Sequence, residues 1–299
     1  MAVGARRAAS FPAAIVRSEA ALPLGLLAPT VIFLTLLILV PIAQAVLLSF
    51  QAADGTFGLD AYKRMFNDTA FAESFRNTIL LLIAIVPIQT VLALGMALLI
   101  HSRFPGHGIF LYIYAIPLAI SDLAAGIVWL SIFTDQGYLN TILTGLGVIK
   151  EPMAFLSYEN LQWVFTAVVV AESWRATALV LVILLAGLQL IPREYFEAAE
   201  VFGASRLKRT LLVVLPMLKP SLQSALIIRT IFAFNAFAVV LALAGRQLPV
   251  LGYEAYDWYY NNRNSNVAAA FATLILALTI ATTITYLRLF RVREGELGK

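Results

Sequence analysis

The chain has 299 residues, of which 61% are hydrophobic and only 13% are charged, and its formal net charge is +4. Soluble domains average about 45–50% apolar and about 25% charged residues, so this composition excludes an ordinary soluble fold and predicts an all-α polytopic membrane protein. A net charge of +4 gives no indication of nucleic-acid binding. Cysteine is absent and there are only two histidines, so disulfides are excluded and no metal site is predicted.

The first 50 residues combine a basic start with a long apolar run. Residues 1–22 contain three arginines and are predicted to form a cytosolic tail, and residues 23–50 form the first predicted span. A secretory signal peptide is the alternative, because Ala43-Gln44-Ala45 resembles a cleavage site. The apolar run is far longer than the roughly 7–15 residues of a signal core, which favours an uncleaved transmembrane helix.

Five further apolar runs predict five more spans, at residues 77–100, 109–133, 161–190, 211–243 and 265–289. Pro117 lies inside the third span, and Pro216 and Pro220 are expected to kink the fifth. The six spans form one predicted membrane domain from residue 23 to 290, followed by a cytosolic tail at 291–299. Apolar residues at helical spacing also indicate a short interfacial helix after the first span: Leu59, Tyr62, Met65 and Phe66.

The distribution of basic residues predicts the orientation of these spans, because cytosolic loops carry an excess of lysine and arginine. The tails and the loops at 101–108 and 191–219 contain 13 basic residues: Arg6, Arg7, Arg17, Arg103, Arg193, Arg206, Lys208, Arg209, Lys219, Arg288, Arg291, Arg293 and Lys299. The other three loops contain six: Lys63, Arg64, Arg76, Lys150, Arg246 and Arg263. Both termini and the 191–219 loop are therefore predicted to be cytosolic.

The loop at 191–220 has the most specific pattern in the chain. Pro192 suits the first turn of a new helix, so a short helix is predicted at about 193–202. Gly203 can adopt the left-handed conformation that ends such a helix. The small side chains of the helix allow close approach of another protein, and its glutamates, Glu197 and Glu200, offer charges to a partner's arginine or lysine.

The spacing within this loop carries a family resemblance. Three residues separate Glu197-Ala198-Ala199 from Gly203, and nine residues separate Gly203 from Val213. One further residue lies between Val213 and Leu215-Pro216. The pattern resembles the EAA loop of permease subunits in binding-protein-dependent ABC importers, with Val213 where isoleucine is usual. The resemblance implies a coupling helix that docks on a cytosolic ATPase through Glu197, Ala198, Ala199, Gly203, Leu215 and Pro216. An ordinary amphipathic cytosolic loop is the alternative.

Four charged residues lie well inside predicted spans, away from the span ends: Asp122, Glu172, Arg175 and Arg229. Charges at membrane depth are costly, face the bundle interior and mark a substrate path by default. Glu172 and Arg175 are three residues apart on one helix face, so they are able to form an ion pair. Two interpretations stay open for this pair, a substrate ligand and a structural link between helices. Arg229 is likewise a candidate clamp inside the bundle.

Further motifs resemble the maltose/trehalose-type sugar permeases over residues 20–290. They are Pro117, Ile120-Ser121, Phe133, Gly137 and Asn140, then Trp174, Ala186-Gly187-Leu188 and Ile191-Pro192, and finally Phe232-Ala233-Phe234-Asn235. The resemblance implies a sugar cavity lined by Ser121, Asp122, Glu172, Trp174, Arg175, Phe234 and Asn235. Carboxylate, guanidinium and amide groups hydrogen-bond sugar hydroxyls, and aromatic faces cover C–H patches. For any single phenylalanine, packing in the core or against lipid is the alternative.

The resemblance implies partners as well as a substrate. The chain lacks the G-x-x-x-x-G-K-[ST] pattern, so ATP and Mg²⁺ are expected on two separate ATPase subunits and this chain is predicted to be non-catalytic, with no cofactor of its own. A second homologous permease, an extracytoplasmic solute-binding protein and a di- or oligosaccharide complete the expected system, in a bacterial or archaeal cytoplasmic membrane, with transport by alternating access.

Two alternatives to a sugar importer remain. The same architecture is able to carry another solute, such as a polyamine or phosphate. A secondary transporter or channel that needs no ATPase is the alternative from a different class. The spacing of the 191–220 loop and the lack of an obvious inverted repeat argue against that second class.

Overall fold

The structure is a computed structural model that describes residues 21–52 and 55–290. The predicted tail at 291–299 and most of the predicted tail at 1–22 lie outside these residues. The chain divides into two compact units after Leu48. The α-helices are α1 Ala21–Leu34, α2 Val40–Ser49, α3 Asp60–Phe66, α4 Phe71–His101, α5 His107–Ala115, α6 Asp122–Phe133, α7 Tyr138–Gly145, α8 Leu161–Gln189, α9 Arg193–Val201, α10 Arg206–Arg209, α11 Leu215–Met217, α12 Lys219–Phe234, α13 Phe237–Leu243, α14 Leu251–Tyr260 and α15 Ser265–Leu289.

The first unit contains the predicted first span. Helices α1 and α2 are joined by a π-helical turn, Thr35–Leu39, in which the N–H of Val40 donates to the carbonyl of Thr35. Pro41 has no N–H to donate four residues back, which gives a physical reason for the wider turn before it. Residues Gly25–Ser49 are long and apolar enough to cross a membrane, in agreement with the predicted helix at 23–50.

The second unit contains three more long apolar helices among the described residues. Counting each of two bent pairs as one span gives up to six candidate spans in the described part of the chain. Helices α8 and α15 lie close to the predicted fourth and sixth spans. Helix α4 starts at Phe71, earlier than the predicted residue 77. Helix α3 confirms the predicted short helix, and it buries Met65 while Phe66 is exposed.

The third and fifth spans are broken, whereas the sequence predicted one continuous helix for the third. Residues His107–Ala119 and Asp122–Gly145 meet at 104°, because Ile120 and Ser121 are extended and the Ser121 hydroxyl caps α6. Residues Arg206–Met217 and Lys219–Phe234 meet at 74°, which confirms the predicted proline kink. The fifth span breaks again between α12 and α13.

Two segments predicted as loops contain helices. Helix α7 lies within 134–160, and α14 lies within 244–264. Buried Asn140 holds the chain after α7, because its amide donates to the Met153 carbonyl and accepts from the Met153 N–H, both at 2.9 Å. A Cβ at Gly137 would lie 2.5 Å from the Ile132 carbonyl oxygen, so only glycine fits before α7. These two family-like residues therefore have structural roles.

The core of the second unit is built on α4, which packs along α8, and on α12, which packs against both. One apolar cluster includes Ile85 and Ala171, and a second includes Ala93 and Val180. Between these clusters α4 buries Gln89 and α8 buries Glu172. The apolar core is therefore interrupted by a polar layer in the middle of its two longest helices.

Candidate functional site

The polar layer is an ion-pair network centred on Glu172 of α8. Arg229 of α12 donates from Nη2 to Glu172 Oε2 at 2.8 Å, and both side chains are 0% exposed. Arg229 Nε also donates to Gln89 Oε1 of α4. The Gln89 amide donates to the Glu172 backbone carbonyl at 2.6 Å. Three helices are therefore joined by one buried guanidinium group and its two partners.

The network continues from Glu172 towards the surface through Arg175. Arg175 Nη2 lies 3.5 Å from Glu172 Oε2, so the predicted pair forms, but Arg229 is the nearer partner of Glu172. Arg175 Nη1 lies 2.8 Å from Asp122 Oδ1 at the start of α6. The Asp122 side chain is 42% exposed. The charges alternate in sign along this series, so two acids and two bases compensate each other.

Three atoms of the network retain hydrogen-bonding capacity. Glu172 Oε1, Arg175 Nε and Arg229 Nη1 are buried and have no hydrogen-bond partner among the described protein atoms. Buried polar groups in native proteins are nearly always paired, so such atoms need an explanation. One explanation is that the network exchanges hydrogen-bond partners when the helices that carry it move relative to each other.

The remaining residues predicted to line the substrate path differ in exposure: three are exposed and one is buried. Trp174 is partly exposed and meets Trp129 edge to face, with ring centroids 6.0 Å apart. Asn235 is exposed after α12, where its amide donates to the Ile231 carbonyl at 3.0 Å. Ser121 is exposed, and its hydroxyl accepts from the Ala124 N–H. Phe234 is buried in an apolar cluster with Phe271, which matches the packing alternative.

The segment at 191–220, named the coupling segment here after its predicted contact with an ATPase, forms the helix that the sequence predicts. Helix α9 follows Pro192, which has an extended ψ of 142°, and the chain turns at Gly203, where φ is +71°. A left-handed φ favours glycine because a side chain there is strained. The N–H of Ala204 then donates to the Ala199 carbonyl at 2.9 Å and closes the helix end. Of the two predicted docking alanines, Ala199 is buried and Ala198 is exposed.

Two acids of the coupling segment, Glu197 and Glu200, have partners within the chain. Glu197 lies 3.7 Å from Arg193 on the same helix, with both side chains largely exposed. Glu200 pairs with Arg209 of α10, which also lies over the Phe196 ring at 5.9 Å. A partner protein that binds these carboxylates therefore has to compete with local arginines.

Contacts within the segment connect α9 to the membrane helices. The Phe196 ring lies 5.4 Å from the ring of His101, the last residue of α4. Val214 is buried in the same apolar cluster as Leu218, at the 74° bend. The predicted Leu215 and Pro216 lie in α11, just before this bend. A force applied to α9 therefore has a packed route to α4 and to the fifth span.

Sequence reasoning missed two features of these sites. Gln89 was not predicted, although a polar residue inside an apolar span is a signal of bundle-internal function. Val201 and Phe202, at the end of α9, are 86% and 89% exposed. Large apolar side chains that end a polar helix favour contact with another protein. Within the described residues, no group of three His, Cys, Asp or Glu side chains is able to hold a metal ion.

Helix α14, between the fifth and sixth spans, carries two carboxyl groups with shifted pKa values. Burial and the nearby acids Asp68 and Asp257 raise the pKa of Glu254 to about 7. Burial opposes ionisation of Asp257, but hydrogen bonds from Asn261 and Arg246 outweigh it and lower the pKa of Asp257. Arg246 Nη2 lies 2.9 Å from Asp257 Oδ1. This ion pair ties α14 to the preceding chain.

An apolar bundle with broken spans, a buried ion-pair network and an exposed helical loop packed against the bundle defines a subunit of a membrane transporter. The chain belongs to the family of inner membrane components of binding-protein-dependent transport systems, whose sequence profile matches residues 89–293. The predicted family is therefore confirmed.

Several curated relatives are named as permeases for sugars or sugar derivatives. The chain is 33% identical over 281 residues to the sulfoquinovosyl glycerol transport system permease protein SmoG of Agrobacterium fabrum, with 90% of each chain covered. It is also 33% identical over 245 residues to the trehalose/maltose transport system permease protein MalF of Thermococcus litoralis, covering 79% of this chain and 80% of that protein.

The fold is shared with solved structures. The structure is similar to a chain of a bacterial ABC transporter involved in the import of the acidic polysaccharide alginate. The TM-score is 0.76 at 18% identity, and the match covers 93% of this chain and 96% of that chain. The predicted all-helical importer-permease fold is confirmed by this likeness.

Proposed function

We propose that this permease subunit imports a di- or oligosaccharide by alternating access. The relatives named for trehalose/maltose and for lactose transport support a saccharide as substrate. The observation that carries the proposal is the compensated network, in which Arg175 and Arg229 are each paired with a carboxylate. Sugar hydroxyls bind to such groups without adding a net charge.

The charge balance also separates this proposal from its alternatives. A phosphate needs an unpaired cation in the path, and a polyamine needs an unpaired carboxylate, since a buried charge is costly without a partner. In the network both guanidinium groups and both carboxylates already pair with each other. Trp174, one residue from Arg175 and partly exposed, offers an aromatic face to the C–H groups of a sugar.

The proposed mechanism places ATP hydrolysis on two partner ATPase subunits, which bind α9 from the cytosol. A second homologous permease completes the path, and an extracytoplasmic solute-binding protein delivers the saccharide. Closure of the ATPases moves α9, and the contact of Phe196 with His101 transmits that movement to α4. The spans then rock about the polar layer, where Glu172, Arg175 and Arg229 have spare hydrogen-bonding atoms for exchange of partners.

A transport assay of the complete complex tests this substrate class. Proteoliposomes that contain both permeases, the ATPases and the solute-binding protein are given labelled trehalose, maltose, a glucuronide, phosphate or spermidine. We expect ATP-dependent uptake of a saccharide and no uptake of phosphate or spermidine. Uptake of phosphate or spermidine without any saccharide would refute the proposal.

Cysteine labelling tests the proposed orientation, because the natural chain has no cysteine and the background is clean. An impermeant maleimide should label Ser205→Cys only from the cytosolic side and Asn262→Cys only from outside. Both positions are exposed in the structure. The reverse pattern would place α9 outside the cell and remove the ATPase from the mechanism.

A further inference from the structure

A series of aromatic rings leads away from the candidate substrate path. The ring centroids of Phe237 and Tyr256 are 5.2 Å apart, and those of Tyr256 and Tyr260 are 5.5 Å apart. The two tyrosine rings are within 8° of parallel, since they are four residues apart on α14. Phe237 begins α13, two residues after Asn235. The series therefore starts beside a path residue and runs along α14.

The exposure of the rings increases along the series. Phe237 is half-buried, Tyr256 is 36% exposed and Tyr260 is 65% exposed. Tyr260 also lines an open surface cavity together with Tyr259, Asn261, Arg263 and Ser265. The outer end of the series is thus accessible from solvent, and polar side chains surround it.

The helix that carries the tyrosines is firmly held. Asn77 of α4 donates to the Pro249 carbonyl at 3.0 Å, and the Leu251 N–H donates to Thr78 Oγ1 at 2.9 Å. A Cβ at Gly252 would lie 3.1 Å from the Phe237 Cβ, so α13 and α14 pack closely. A fixed helix holds the rings in one geometry, which lowers the entropy lost when a ligand binds.

We propose that Phe237, Tyr256 and Tyr260 form an aromatic track that binds the C–H faces of the saccharide between the extracytoplasmic surface and Asn235. This inference rests on the proposed saccharide substrate and orientation. A pyranose ring presents C–H groups on its faces and hydroxyls at its edge, so it suits parallel aromatic rings with polar neighbours. Phosphate has no apolar face, so the track favours a saccharide over that alternative.

Protection of an introduced cysteine tests binding at the track. Ser265→Cys is a near-isosteric change in the cavity beside Tyr260, and Ser157→Cys is a control of similar exposure on another loop. In the reconstituted complex, a saturating saccharide that the complex transports should slow maleimide labelling of Ser265→Cys about fivefold or more, the ratio that roughly 1 kcal/mol represents. Labelling of Ser157→Cys should not change.

Variants that lack one tyrosine ring test whether protection of Ser265→Cys by the saccharide depends on the aromatic track. Tyr260→Ala or Tyr256→Ala should abolish the protection and reduce uptake at subsaturating saccharide about fivefold, by the same conversion. Tyr260→Phe keeps the ring and should retain both. Tyr158→Ala is the matched control, because Tyr158 is 67% exposed and has no place in the track.

Each outcome decides between the two proposals. If the unmodified complex takes up no saccharide, the proposed function fails and the track fails with it. If it takes up a saccharide that neither protects Ser265→Cys nor depends on the tyrosines, only the track is overturned. Protection by the solute-binding protein without saccharide would assign the surface to protein docking and would also overturn the track.

Discussion

Two regions of this protein use the same chemistry in opposite surroundings. In the polar layer, Glu172 and Arg229 form an ion pair in which both side chains are 0% exposed. In the coupling segment, Arg193 and Glu197 form a pair in which the side chains are 90% and 66% exposed. Both pairs join a carboxylate to a guanidinium group, so burial is the difference that determines what each pair does.

The comparison distinguishes an ion pair that stabilises the fold from an ion pair whose charges are available to another protein. Loss of one partner of a buried pair leaves an uncompensated charge and costs about 3–5 kcal/mol, whereas an exposed pair contributes about 0–1 kcal/mol. The buried pair therefore holds α8 and α12 in register within the bundle. The exposed pair contributes little to stability, so its charges are free to exchange for those of a partner protein.

The largest expected effect is the loss of the buried pair. Glu172→Gln should destabilise the protein by about 3–5 kcal/mol, because the buried Arg229 then loses the carboxylate that lies 2.8 Å from its Nη2 atom. Replacing both residues, as Glu172→Gln with Arg229→Gln, should recover most of the loss. The thermal unfolding midpoint of the purified complex measures both. A Glu172→Gln variant no less stable than Glu197→Gln would contradict the comparison.

Glu254 is an intermediate case, a buried acid whose pKa is raised to about 7. The unfolded chain loses the Glu254 proton above the ordinary pKa of 4.5, whereas the folded state keeps it up to a pKa of about 7. The free energy of unfolding therefore falls as the pH rises from 4.5 to 7 and is level at higher pH. Glu254→Gln should therefore stabilise the protein at pH 8 by up to roughly 3 kcal/mol and have little effect at low pH.

Unfolding midpoints at pH 5 and pH 8 measure this difference. Asp60→Asn is the control, because the Asp60 side chain is 58% exposed and pairs with Lys63 at the surface. An equal shift for Glu254→Gln at both pH values would show that burial does not govern this group.

A substitution at Gly203 tests whether ATPase binding depends more on the backbone conformation of the coupling segment than on its charges. Gly203→Val places a β-branched residue at a φ of +71° and should cost about 1–3 kcal/mol locally. We expect the permease to remain in the membrane and to lose its ATPase subunits during purification. Gly145→Val is the control, because Gly145 also lies in open space but does not have a left-handed φ. Normal ATPase retention in Gly203→Val would refute the coupling assignment.

Asp122 lies at the boundary between the two environments, with a buried partner and 42% exposure. Asp122→Asn should cost about 1 kcal/mol at most, since exposed pairs contribute little. The variant removes a negative charge beside Arg175. Uptake of a neutral saccharide should therefore fall, and uptake of an anionic saccharide should rise relative to uptake of the neutral one. ATP hydrolysis by the complex should persist, and Asp135→Asn is the exposed control. An unchanged preference between the two substrates would remove Asp122 from the path.

The smallest effect on stability is expected at Glu197. Glu197→Lys should change stability by less than about 1 kcal/mol, because its pair with Arg193 is exposed. It reverses a charge at the proposed ATPase interface, so the ATPase should dissociate faster in a salt-dependent manner. Glu194→Lys, an exposed acid on the same helix, is the control. Equal dissociation rates in the two variants would show that position 197 has no special role.

The local features of the coupling segment were predictable because their causes are local. Pro192 and Gly203 limit their own backbone conformations, so a helix between them follows from 12 neighbouring residues, 192 to 203. The existence of the spans was predictable for a similar reason, since hydropathy is a sum over consecutive residues. The helices α7 and α14 were missed because short helices in polar segments depend on contacts such as those of Asn140 and Met153.

The sequence by itself determined that this chain is a polytopic membrane protein with a short helix after Pro192, and it placed four charged residues well inside the predicted spans. The tertiary structure decided which of these charges are partners. Glu172 pairs most closely with Arg229, 57 residues away, and Arg229 reaches Gln89, 140 residues away. Neither contact follows from helical spacing, which relates only residues three or four apart. Partners on different helices are determined by how those helices pack, and packing depends on the whole bundle.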